Sequence, residues 1–156
     1  MEHDNGCRQD MIAKACVSLA NATVSQTVEE WIKRRTTLDS HGIVVPRLAF
    51  VYKATVYEEY VPLDFNRCLE VSTGAERAAL LGSLGRTARI VGALGFERVP
   101  LHDARTHGSD CVIVDFGQDL GGPSRGTPAR ALAQVVNDLR QWRILKPNDA
   151  DIIQAA

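Results

Sequence analysis

Apolar positions recur along this chain with two distinct periods. From Asp10 to Leu19 the run DMIAKACVSL is mostly apolar with Lys14 alone in its middle, which predicts a strand. Val24, Val28, Trp31 and Ile32 then recur at helical spacing and predict a helix over about 22–38, ended near Gly42. Two β-rich runs follow, Leu48 to Tyr52 and Thr55 to Val61. Only Lys53 and Ala54 separate them, so an antiparallel hairpin is expected, bracketed by Pro46 and Pro62.

The next segment, STGAERAALLGSLGRTARIVGALGF, opens with Thr73 and Glu76 at capping-box spacing. It carries Leu80, Leu81, Leu84, Ala88, Val91 and Leu94 on one face, the signature of a central packed helix ending at Gly95. DARTH, the turn pair Gly108 and Ser109, and CVIVDFG predict a second hairpin whose latter half is buried. Thr127 and Pro128 form an N-cap and first-turn pair for a last helix with Leu132, Val135, Val136, Leu139 and Trp142 on its apolar face. The tail after Lys146 is expected to be loosely held. No repeat, linker or low-complexity segment divides the 156 residues, so a single domain is expected.

A formal charge of −1 gives no reason to expect nucleic acid or an acidic membrane surface as a partner, and the Lys33, Arg34, Arg35 triplet is short enough to be a solvated helix face. Cys7, Cys16, Cys68 and Cys111 are scattered without zinc spacing, which suits a reducing compartment. With no signal pattern and no uncharged apolar run of roughly 20 residues, no membrane span is expected and the location read from the chain is cytoplasmic.

Three residues carry candidate chemistry. Asp115 ends an apolar strand, either as a metal-holding carboxylate or as a strand-end acid turning onto Gly117. Lys14, flanked by Ile, Ala, Ala and Cys, must find an anion unless it points to solvent from an edge strand. Glu30, or Glu29 beside it, lies off the helix's apolar stripe and is free to meet Lys14; the plainer reading pairs Glu30 with Thr27 in a capping box.

In this order the parts resemble the protein-kinase-like superfamily, in its aminoglycoside-phosphotransferase and lipopolysaccharide-kinase branch. MIAKAC resembles the lysine strand, HGIVVPRLAFVYKATVYEEYVP the two strands leading to the hinge between lobes, and VIVDFG the metal-binding D-F-G, over roughly residues 10 to 145. The resemblance implies an α+β, two-lobe fold: a reduced antiparallel small lobe over about 1–61 and a small helical large lobe over about 62–156. It implies ATP and Mg²⁺ as ligands. Lys14 would hold phosphate and Glu30 would hold Lys14 in place, Glu59, Tyr60 and Val61 would form the hinge against the nucleotide, and Asp103 and Asp115 would hold the metal. The reaction would move a phosphoryl group to a protein or small-molecule hydroxyl.

Two departures from the family pattern are visible. Where the family places its catalytic aspartate this chain reads GFERVPLHD, leaving Glu97 and His102 as the nearest candidate bases; each is equally readable as a surface charge or an ordinary loop histidine. About ten residues with the single Gly6 precede the lysine strand, too few for the full phosphate-covering loop. These departures support an alternative, a catalytically inactive pseudokinase acting as a regulatory or protein-binding module.

Overall fold

The computed structural model describes residues 10–15, 23–117, 120–121 and 125–156. Among these, the chain forms a small α+β domain. In order it has strand β1 (Met11–Ala15), helix α1 (Val24–Ser40), strands β2 (Leu48–Tyr52) and β3 (Thr55–Glu59), and helices α2 (Phe65–Val71) and α3 (Gly74–Ala93). Strands β4 (Arg105–His107) and β5 (Asp110–Val112) and helices α4 (Pro128–Gln141) and α5 (Asp149–Ala155) complete it.

The expected first hairpin forms, and the lysine strand joins it: β3 lies between β1 and β2 in an antiparallel sheet. Its turn places Lys53 at φ +53°, the left-handed conformation that two-residue hairpin turns use. β3 ends at Glu59 rather than Val61, although the Tyr60 N–H still reaches the Asp10 carbonyl at 3.0 Å. Strand alternation puts Ile12, Lys14, Val56 and Glu58 on one face, where Val56 and Glu58 are buried. The other face carries Met11, Phe50, Tyr52 and Tyr57, with the Phe50 and Tyr57 rings stacked 4.4 Å apart.

α3 is the central helix. Leu80, Leu81, Leu84, Ala88 and Val91 are buried in one cluster with Leu132, Val135 and Leu139 of α4, Ile153 of α5 and Cys111 of β5. Gly92 allows the N-terminus of α4 to approach, since a Cβ there would lie 2.4 Å from the Thr127 carbonyl. Cys111 is buried, and desolvation pushes its thiol up to about 12, so it behaves as a small hydrophobe.

Several local expectations need correction. α1 is capped one turn earlier than predicted: Thr23 and Gln26 form the reciprocal box, at 3.2 and 2.8 Å, while Thr27 lies inside the helix and returns its hydroxyl to the Thr23 carbonyl. Thr73 stands at the N-cap of α3, but its side chain makes no cap bond, and Glu76 serves the helix as a first-turn acid. α2, capped by Asp64 onto the Arg67 N–H, is too short for its periodicity to have been visible. Trp142 is the C-cap of α4 and is 40% exposed rather than packed.

The C-terminal tail is anchored, contrary to expectation. Ile153 is fully buried, and Asp149 receives the Arg77 guanidinium from α3. Arg77 also donates to the carbonyls of Leu69 and Ile144, so one buried arginine ties α2, α3 and the chain before α5 together. Burial by itself would raise the Asp149 pKa; hydrogen bonds from Arg77 and the Lys146 amide outweigh it and hold the carboxyl below its usual range. No helix among the described residues is long and apolar enough to cross a membrane.

Candidate functional site

A cleft of about 260 Å³ opens between the three-stranded sheet and the β4–β5 hairpin with its flanking segments. The sheet contributes Ile12 and Lys14 from β1 and Glu58 and Glu59 from β3. Tyr60 and Val61 continue from β3 along the same wall. Asp103 and Arg105 approach from the start of the second hairpin, and Val114 and Asp115 from its end. Lys14, Glu59, Tyr60, Val61, Asp103 and Asp115, six of the positions singled out in the sequence, thus line one concavity, although they come from four separate stretches of chain.

Lys14 does not meet a helix glutamate. Its ammonium lies 2.5 Å from Glu58 Oε1 and also donates to the Val114 carbonyl, next to Asp115. The reason is register: Lys14 pairs with Val56 and Ile12 with Glu58, so Lys14 and Glu58 are diagonal neighbours on one sheet face. Glu58 is 1% exposed, and its Oε2 atom has no hydrogen-bond partner. Burial raises its pKa, Asp115 adds to that, and the Lys14 bond and charge together with the Arg35 charge pull it down without cancelling the rise.

Glu30 is half exposed and bonds Arg34 one turn along its own helix, at 2.9 Å; Glu29 is exposed. Helix α1 nevertheless reaches the D-F-G segment by other residues. The Trp31 and Phe116 rings meet edge to face at 4.9 Å, and Arg34 donates to the Gly117 carbonyl at 2.7 Å. The cation expected to be held by Glu30 is therefore held by Glu58, and Glu30 instead steadies an arginine that grips Gly117.

Asp115 accepts the Gly117 N–H at 2.9 Å, the turn that its plainer reading anticipated, and still faces the cleft. Asp103 is paired with the His102 ring at 2.9 Å. Among the described residues no three His, Cys, Asp or Glu side chains cluster closely enough to enclose a metal. Two carboxylates on one cleft still suit Mg²⁺, which commonly takes one or two protein carboxylates and completes its shell with phosphate oxygens and water.

The two candidate bases separate in space. Glu97 packs against Gly121 and sits 4.0 Å from Arg125, and it does not line the cleft. His102 faces a second cavity of about 350 Å³, walled by Pro100, Gln134 and Trp142 among others. Because His102 and Asp103 are adjacent in the chain and their side chains meet, the two cavities adjoin at that pair.

Of the four cleft residues that sequence reasoning missed, Ile12 and Val114 are apolar and Glu58 and Arg105 are charged. For Glu58 a signal existed: it lies two residues after Val56, so any register that buries Val56 also turns Glu58 inward, and a buried acid calls for a cation. Arg105 gave no such signal, since a lone arginine in a mixed hairpin strand is ordinary. Sequence and fold comparisons add no relative: no protein-family model, curated protein or solved structure matches this chain significantly.

Proposed function

We propose that this chain is a nucleotide-binding domain of the protein-kinase-like kind, taking ATP with Mg²⁺ in the cleft and passing the terminal phosphoryl group to a hydroxyl of a protein or small molecule. The observation that carries this reading is the convergence of Lys14, Asp103 and Asp115 with the segment 59–61 on one cleft. In the proposed arrangement Lys14 and Arg105 neutralise phosphate charge, Asp103 and Asp115 hold the metal, and Ile12 and Val61 give the base an apolar bed. Phosphoryl transfer depends chiefly on positioning and charge neutralisation, so a lysine and two acids account for much of what the reaction needs.

A second reading, a pseudokinase that binds without transferring, is favoured by the placement of Glu97 outside the cleft and by the prior engagement of Lys14 with Glu58 and Val114. A melting scan with MgATP tests the shared claim. Ligand at a hundred times its Kd adds about 2.7 kcal/mol, or about 5 to 10 °C for a chain of this size. Lys14→Ala and Asp115→Asn should each abolish the shift, measured from the variant's own baseline. No shift in the unmodified protein at millimolar MgATP removes both readings. A shift without phosphoryl transfer or ATP consumption selects the second.

A further inference from the structure

β1 is an edge strand: among the described residues β3 is its partner on one side and no strand lies on the other. Since the Tyr60 N–H donates to the Asp10 carbonyl, the backbone groups of residues 10, 12 and 14 face β3. By the two-residue period of a strand, those of Met11, Ala13 and Ala15 face the open edge. Natural sheet edges are usually guarded by charges, a proline or a bulge. Here the three residues that present their backbone outward are a methionine and two alanines, all exposed.

Ile12 and Lys14 of β1 line the cleft, and the two-residue period carried back to Asp10, whose carbonyl continues the pairing with Tyr60, gives acid, apolar, base at every second position along one face. Laid antiparallel on itself about Ile12, this segment sets Ile12 against Ile12 and Asp10 across from Lys14 on both sides. Met11 and Ala13 then fall at the hydrogen-bonded positions, with side chains small or flexible enough to pass. Centring the pairing on Asp10 or on Lys14 would instead set like charges face to face. A pattern that complements its own reverse is what a two-fold interface between identical chains requires.

We propose that β1 pairs antiparallel with β1 of a second copy of this chain, continuing the sheet through both copies and bringing Asp10 of each against Lys14 of the other. Lys14 then stands between Glu58 of its own chain and Asp10 of the second copy, so the paired copy supplies a residue to the cleft. This inference does not draw on the nucleotide reading, and its test involves no nucleotide.

Sedimentation of the full chain from micromolar to sub-millimolar concentration should show the mass rising from 17.1 kDa toward twice that value. Ala13→Pro removes an outward N–H while sparing the bonds to β3, and it should leave a folded monomer. Asp10→Lys should weaken self-association roughly tenfold or more, by replacing two attractive charge pairs with two repulsive ones. Ile12→Cys, made with Cys7→Ser and Cys16→Ser, should give a covalent dimer on mild oxidation, because non-hydrogen-bonded partners sit within disulfide reach. The proposal is overturned by a protein that stays monomeric throughout. It is equally overturned by a dimer that survives Asp10→Lys unchanged while Ile12→Cys fails to cross-link, a comparison that holds even if Ala13→Pro does not fold.

Discussion

Lys14 and Glu58 form a 2.5 Å ion pair between neighbouring strands, with the glutamate sealed from solvent and the lysine partly open to the cleft. The pair lies where the sheet meets the segment that ends in Asp115, and Lys14 bridges the two by also bonding the Val114 carbonyl. The lysine therefore does two things at once: it offsets a buried acid, and it fastens the segment that leads from β5 to Asp115 to the sheet.

Removing the cation alone should cost far more than removing the pair. Lys14→Met leaves Glu58 buried without its counter-charge and should destabilise the fold by about 2 kcal/mol or more, short of the full buried-pair penalty because Lys14 is partly solvated. The double change Lys14→Met with Glu58→Leu should recover most of that loss. Glu30→Ala, which removes only a half-exposed pair within α1, should stay within about 0.5 kcal/mol. Urea denaturation of the four proteins checks the ranking, and equal losses for Lys14→Met and Glu30→Ala would contradict it.

Two carboxyls should give stability opposite dependences on pH. Glu58 has its folded pKa raised above the ordinary 4.5, so the native state holds that proton more tightly than the unfolded chain does. Stability should fall as pH rises from about 4.5 through the raised value. Asp149 is lowered from 3.8, so its contribution is present above that value and is lost as pH falls through the depressed one. In melting scans from about pH 3 to pH 8, Glu58→Gln should lose the first slope and Asp149→Asn the second. Parallel profiles for all three proteins would refute both assignments.

The C-terminal helix should be indispensable. Arg77→Met strands Asp149, a buried carboxyl, and leaves the Leu69 and Ile144 carbonyls without their donor; the expected cost is about 3 to 5 kcal/mol. Truncation before Asp149 also removes the buried Ile153 and strips α5 from its close contact with Gly85 of α3. Either protein should melt well below the intact chain, by about 6 °C or more for Arg77→Met. A melting temperature unchanged on truncation would restore the reading of a loose tail.

The sequence by itself determined the elements whose signals are local. Thr127 and Pro128 announced α4, the alternation around Lys53 and Ala54 announced the first hairpin, and the stripe from Leu80 to Val91 announced the central helix. Each rests on backbone chemistry or periodicity within one stretch of chain. Asp115 turning onto Gly117 was legible for the same reason.

Which residue answers which charge was decided by the tertiary structure alone. Lys14 could be seen to need an anion, but the choice between Glu30 and Glu58 depended on the pairing register of two strands far apart in the chain, and a register is set by burial that no single segment contains. Likewise the tail looked polar and unheld because Asp149 was read without Arg77, 72 residues away. A charge in isolation reads as solvent-exposed, and only its distant partner shows that it can be buried.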